Sequence, residues 1–305
     1  MPAKLLPMRD AIARFVRDGD SIAIGCALEP LIPFAAGHEI IRQRRRDLNL
    51  IGPISDILFD QLIGAACVAR VTAAWVGNVS AGLGHAYRRA VEHGIPRAIE
   101  VRDHSNFSIG LALHAAALGV PFIPAHTLLG SDIVGSNPDL HLAPSPLDGT
   151  PLLLVPALTP DVALLHVQRA DAEGNAHAWG NLGICQEAAL AARAVIIVAE
   201  EIVAPEIIRS DPNRVLVPAF RVSAVVHAPG GAHPSPVQGY YNRDHAFFQE
   251  YHQATRTEAG MAAWLDEWVY GIPDRAAYLA QLGEQRWHEL ARKESRLAAP
   301  VDYGY

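Results

Sequence analysis

Asp18-Gly19-Asp20-Ser21-Ile22-Ala23-Ile24-Gly25 is the stretch from which the fold can be read. Upstream of it Met8, Ile12, Phe15 and Val16 recur at helical spacing, and the Asp-Gly-Asp triplet stops that helix. The apolar run that follows, closed by Gly25, reads as a strand. Pro30 then stands where a first helical turn tolerates proline, and Phe34, Ile40 and Ile41 carry the next helix to Arg46. The same alternation continues. Runs 48–51, 68–75, 152–155, 162–167, 195–199 and 222–228 are short, apolar and bounded by Pro, Gly, Asp or Asn, as strands buried on both faces require. Helical stretches at 86–93, 107–118 and 186–192 lie between them. The pattern predicts an α/β fold: an open, mostly parallel sheet flanked by helices, with a helical C-terminal segment. We divide it into an α/β domain, residues 1–244, and a segment, residues 245–305, whose aromatic-rich helices pack on the core or on a partner. Gly130 to Pro151, crowded with turn formers, is expected to be a long surface excursion near the site or an interface with a partner.

Composition narrows the function. Half of the 305 residues are hydrophobic and 19% are charged, enough to bury a large core and too apolar for a disordered chain. No apolar run approaches the roughly 18 residues that span a bilayer, and Met1–Asp10 carries Lys4, Arg9 and Asp10 without a signal-type apolar core. A cytoplasmic protein with no membrane partner is expected. A net charge of -7 argues against nucleic acid, the local run Arg42, Arg44, Arg45 and Arg46 notwithstanding. Cys26, Cys67 and Cys185 form no CxxC pair, and the 14 histidines include no HxxxH or HExxH spacing, so neither a disulfide framework nor a metal site is expected. There is no G-x-S-x-G elbow of the α/β-hydrolase kind.

Four places could carry chemistry. Gly25-Cys26-Ala27-Leu28-Glu29-Pro30 turns from a strand into a helix, where backbone N–H groups face any ligand at the carboxyl edge of the sheet. Cys26 and Glu29 are candidates to line a pocket there, against the plainer reading that Gly25 ends a strand and Glu29 complements a helix dipole. Gly77-Asn78-Val79-Ser80-Ala81-Gly82-Leu83-Gly84 permits close backbone approach to a ligand, with Asn78 and Ser80 as its polar groups. It is not G-x-G-x-x-G and no Walker lysine follows, which disfavours nucleotides. Ser105 or Asn106 caps the alanine-rich helix that follows or binds ligand, and His114 within that helix reads as a core histidine. Gly130-Ser131-Asp132 is the fourth place, after the strand-like run 122–128.

Ala228-Pro229-Gly230-Gly231-Ala232-His233-Pro234-Ser235 resembles a stretch of the A (alpha) subunits of family I CoA-transferases of the glutaconate type. The resemblance continues in His114-Ala115-Ala116-Ala117-Leu118-Gly119-Val120-Pro121-Phe122-Ile123-Pro124, in Gly130-Ser131, and in Glu200-Glu201-Ile202 with Ile207, Arg209, Asp211 and Pro212. It implies the CoA-transferase/NagB-like fold and an A2B2 assembly with the site at each A–B contact. A glutamate of the B subunit is then the nucleophile, and a coenzyme A thioester and a carboxylate are substrates, with no permanently bound cofactor. Gly25, Cys26, Glu29, Asn78, Ser80, Asn106, Gly130 and Ser131 would line the substrate site. No catalytic residue is certain in this chain, Glu29 and Cys26 being the candidates. Relatives carry a second glycine and an aromatic where this sequence has Cys26 and Ala27, and a basic residue before the proline where it has Glu29. The acid puts a dicarboxylate substrate in doubt. Two alternatives stay open: a related acyl-CoA hydrolase, ring-cleaving hydrolase or decarboxylase, and a non-catalytic ligand-binding subunit.

Overall fold

The computed structural model describes residues 4–292. α1 (Met8–Phe15) passes through the Asp18–Asp20 turn into β1 (Ser21–Ile24). The acids close that turn: Asp20 accepts from the Arg17 amide at 2.8 Å and Asp18 from the Arg46 amide at 2.9 Å. The chain continues through α2 (Phe34–Arg42), β2 (Leu48–Gly52), α3 (Asp56–Gly64), β3 (Val68–Ala73), a small hairpin of β4 (Gly77–Asn78) and β5 (Gly82–Leu83), α4 (His85–His93), β6 (Glu100–Asp103) and α5 (Asn106–Leu118). Next come β7 (Phe122–Ala125), α6 (Ile133–Ser136), β8 (His141–Pro144), β9 (Pro151–Pro156), β10 (Val162–Ala170) and β11 (Ala176–His177). α7 (Cys185–Ala191), β12 (Ala194–Ile202), α8 (Pro205–Arg209) and β13 (Ala224–His227) complete the sheet. The described chain ends with α9 (His245–Ala254), α10 (Glu258–Leu265), α11 (Arg275–Leu282) and α12 (Glu284–Leu290).

Seven strands run parallel in the order β13-β12-β10-β1-β2-β3-β6, with β11 added antiparallel to β10. The chain first builds outward from β1 to β6, then returns to the other side of β1 and builds outward again to β13. The direction of construction therefore reverses at β1: the chain leaving β1 goes to α2 on one face and the chain leaving β10 to α7 on the other, which makes this carboxyl edge the switch-point crevice of an open α/β sheet. Strand periodicity sorts the core. Ile22, Ile24, Leu164, Ile196 and Val198 enter one hydrophobic cluster, while Ala23, Leu165, Ile197 and Ala199 enter the other. Helices α1 to α4 cover the first face and α5 and α7 the second, so the mostly parallel sheet flanked by helices is as expected.

Three local readings need correction. The 152–155 run is strand β9, but it belongs to a separate antiparallel sheet in the order β7-β9-β8, where Leu153 and Val155 pack on Ala112 and Leu140. An apolar run states that a strand is buried, not which sheet buries it. The 130–151 region is no bare excursion, since it holds α6 and β8. Its turn formers sit at the joints, Asn137 to Asp139 between α6 and β8 and Ser145 to Thr150 in the β8–β9 turn. Strand β6, Glu100-Val101-Arg102-Asp103, escapes an apolar criterion because an edge strand tolerates charge, and Glu100 pairs with Arg70 and Arg102.

The aromatic helices pack on this chain's own core. Phe247, Phe248, Tyr251, Trp264 and Tyr278 join Ile12, Phe34 and Phe59 in one cluster, and Phe247 meets Trp264 and Trp268 edge-on with ring centroids at 5.2 and 5.0 Å. Residues 293–305 of the C-terminal segment lie outside the described residues. No helix among the described residues is long and apolar enough to cross a membrane. Phe247→Ala should therefore cost about 3–5 kcal/mol in urea unfolding while the transition stays single. A separate early transition for the tail would contradict this shared core.

Candidate active site

The turn after β1 is built under constraint. Gly25 has φ 71°, and a Cβ there would stand 1.8 Å from Oγ of Ser55, whose hydroxyl donates to the Ile24 carbonyl at 2.7 Å. Only glycine fits. Leu28 (φ 72°) and Leu31 (φ 56°) hold left-handed conformations that side chains resist, so neighbours must over-determine them. They do. The Ser235 hydroxyl donates to the Glu29 carbonyl at 2.5 Å, the Leu31 amide to the Pro236 carbonyl at 3.1 Å, and the Ile184 amide to the Cys26 carbonyl at 2.8 Å. With its backbone so fixed, Glu29 presents a carboxylate that is 51% exposed at the crevice.

Behind Glu29 lies a cluster absent from the sequence reading. Arg243, 8% exposed, donates from Nη2 to Asp56 at 2.6 Å and to the Ser80 hydroxyl at 3.0 Å, and its Nη1 is 3.9 Å from the Glu29 carboxylate. Its guanidinium lies over the Phe248 ring at 3.8 Å. His245 Nδ1 is 3.5 Å from the Ser80 hydroxyl, and Gln249 donates to the Ser80 carbonyl at 2.6 Å. Asp56 is fully buried at φ 47°; burial pushes its carboxyl up to about 6, with Arg243 and the Val79 amide opposing the rise and Glu29 adding to it.

The structure thus brings Gly25, Cys26, Glu29, Asn78 and Ser80 to one edge, though not all as contacts. Cys26 is buried, and burial first and Glu187 second push its thiol up to about 12, an environment that disfavours the thiolate. Asn78 is also buried and already engaged, donating to the Phe248 carbonyl at 2.7 Å and accepting from the Ser80 amide at 3.0 Å. Asn106 stands exposed in the first turn of α5, whose cap is Ser105 in a reciprocal pair with Ser108. Gly130 and Ser131 line a separate groove of about 600 Å³ beside β8, with Ser131 accepting from the Ile133 amide. His114 is exposed rather than a core histidine, because α5 turns that face outward. A cavity of about 460 Å³ between α2 and α11, beside His38 and Arg275, shares no lining residue with the Glu29 cluster.

A family model described as coenzyme A transferase matches residues 6–228. The chain belongs to the coenzyme A transferase family. It is 41% identical over 282 residues to the A subunit of 3-oxoadipate CoA-transferase from Pseudomonas knackmussii, covering 92% of this chain and 99% of that one. Its fold superposes on the crystal structure of glutaconate coenzyme A-transferase from Acidaminococcus fermentans with a TM-score of 0.90, at 32% identity and 98% coverage of both chains. It is also 30% identical to the cholesterol ring-cleaving hydrolase IpdA subunit of Mycobacterium tuberculosis, covering 94% of this chain and 100% of that one. The family expected from the 228–235 stretch is the right one, and the chain is of the A-subunit type.

In this coenzyme A transferase chain the stretch that announced the family is an internal brace. His233 is fully buried, its Nε2 on Asp244 at 3.0 Å and its Nδ1 on the Tyr278 hydroxyl at 2.9 Å, an arrangement satisfied by a neutral ring that donates from Nε2. Arg275 donates to the Gly230 and His233 carbonyls, and Arg286 to Asp244. Glu200 accepts from the Gly230 amide at 2.7 Å, from His166 at 2.7 Å and from Tyr241 at 2.5 Å. Burial lowers the His233 pKa to about 4, against a hydrogen bond to Asp244 that raises it. The unfolded chain therefore takes up this proton first, near pH 6.5, so stability is full above that value and falls as pH drops toward 4. The loss is up to about 3 kcal/mol, with His104, also lowered to about 4 by burial, adding in the same direction. Asp56, raised to about 6, works in the opposite direction over the same window because the folded chain takes up its proton first, so the test is the difference: between pH 7 and 4.5 the urea-unfolding stability of His233→Gln should fall less, or rise more, than that of the native chain.

Proposed function

We propose that this chain is the A subunit of an acyl-CoA:carboxylate CoA-transferase, forming the acyl-CoA site with a separate B subunit that carries the catalytic glutamate. The assembly is an A2B2 cytoplasmic enzyme. The observation that carries the reading is the braced, strained turn at Glu29, opening at the reversal point of the sheet where ligands of α/β proteins bind, in a chain 41% identical to the A subunit of 3-oxoadipate CoA-transferase. The subunit names of its relatives support a partner. So do the exposed Phe107, Leu118, Phe122, Leu142 and Leu147 on α5 and the small sheet, apolar surface of the kind that interfaces cover.

In this reading the B-subunit carboxylate attacks the thioester carbonyl, expelling the CoA thiolate and leaving a mixed anhydride. The thiolate then attacks the glutamyl carbonyl, releasing the first acid and forming an enzyme–CoA thioester, and an acceptor carboxylate reverses both steps. This chain supplies walls: the Gly25–Glu29 turn with Ser80, ordered by Asn78; Asn106 and the separate Gly130–Ser131 groove stand apart from that turn. The coenzyme A thioester is a substrate, and no permanent cofactor enters the scheme. The similarity to the ring-cleaving hydrolase subunit favours a second reading, in which the half-exposed Glu29 acts directly as a base.

The chain co-expressed with its B subunit, incubated with a panel of acyl-CoAs and trapped with hydroxylamine or borohydride, should yield a modified B-subunit glutamate by mass spectrometry, with acyl exchange onto free carboxylates. Release of CoA, or loss of carbon skeleton, without an adduct on the B subunit would sink the transferase reading and turn attention to Glu29.

A further inference from the structure

The cluster behind the β1 turn has an unequal charge balance. Asp56 and Glu29 both face the one guanidinium of Arg243, and they do not share it equally. Asp56 is fully buried and bonded to Nη2 at 2.6 Å; Glu29 is half exposed and 3.9 Å from Nη1, which makes no hydrogen bond. Once Arg243 is committed to Asp56, the trio carries a net charge of about minus one, and the side chain that shows it to the crevice is Glu29. The other polar groups at this edge do not cancel it: the Ser80 hydroxyl is taken by Arg243, Asn78 by Phe248 and the loop, and His245 reaches Ser80 rather than Glu29. The Glu29 backbone is pinned through its carbonyl by Ser235, so the carboxylate can swing only about its own side-chain bonds.

We infer that Glu29 is a specificity-determining residue that excludes acyl groups bearing a second carboxylate, so that the acyl-CoA accepted here ends in a group without negative charge. This rests on the acyl-CoA reading of the site. A distal carboxylate brought into the crevice meets an uncompensated negative charge in a partly desolvated setting, whereas an alkyl or hydroxyl end meets none. Such repulsion is a device for rejection rather than for affinity, and it discriminates between thioesters that share the whole coenzyme A moiety.

The test is calorimetric titration of the co-expressed A–B complex with butyryl-CoA and with glutaryl-CoA, for the native chain, Glu29→Gln and Glu29→Lys. The native complex should bind butyryl-CoA at least roughly tenfold more tightly than glutaryl-CoA. Glu29→Gln should bring that ratio toward one and Glu29→Lys should invert it. Both substitutions leave the Glu29 backbone hydrogen bond in place, and circular dichroism verifies the folding of each. Equal or tighter binding of glutaryl-CoA by the native complex, or a ratio that ignores the substitutions, overturns the inference while leaving the CoA reading intact. Failure to bind either thioester overturns both.

Discussion

One buried imidazole ties the site together. His233 holds Asp244 on one nitrogen and Tyr278 on the other, inside a shell of aromatic rings where an unpaired polar group would be costly. Two residues beyond it, Ser235 bonds the Glu29 carbonyl. One residue before Asp244 stands Arg243, and Asp244 itself caps α9 by accepting from the Phe247 amide. The position of His233 therefore fixes both Glu29 and the guanidinium behind it, although they come from turns far apart in sequence. Left-handed residues at Leu28 and Leu31 persist because this brace leaves the turn no relaxed alternative.

The C-terminal helices serve the same geometry. Their rings fill the face of the sheet that α1 to α4 leave open, and through Arg275 and Arg286 they neutralise and satisfy the carbonyls and carboxylate of the brace. Burial alone would raise the Asp244 carboxyl, but hydrogen bonds from His233, Arg286 and the Phe247 amide hold it well below the usual carboxylate range. It therefore stays charged below the pH at which a free carboxylate protonates, and the neutral His233 beside it uses it as a hydrogen-bond acceptor.

How much of this could be read beforehand follows from the range of each interaction. The central strands were legible because burial on both faces forces continuous apolar runs, which local sequence records. Strand β6 was not, since an edge may be charged, and the membership of β9 in a second sheet is a property of its partners. Gly25 and Ser80 stood out because loops that approach a ligand or another backbone need small residues. Asp56 and Arg243 were missed for a different reason: they lie 187 residues apart, and each alone reads as an ordinary helix-start acid or surface base. The 228–235 stretch identified the family, yet its chemistry is bracing, which no reading of its letters distinguishes from binding.

The Asp56–Arg243 pair explains why the site has the sign it has. Asp56 opens α3, where the helix dipole and the Arg243 guanidinium both favour its ionised form, yet desolvation outweighs them and its pKa rises to about 6. A buried pair so balanced is a poor source of stability, and an apolar pair of similar volume would cost less to bury. What the pair does achieve is positional: it draws Arg243 inward onto the Phe248 ring, ties the Ser80 loop to it, and by absorbing the positive charge leaves Glu29 unneutralised at the crevice. Had Asp56 been apolar, Arg243 would have been free to close on Glu29, and the edge would have been neutral. The charge left at Glu29 is therefore set by Asp56, a residue fully buried behind it.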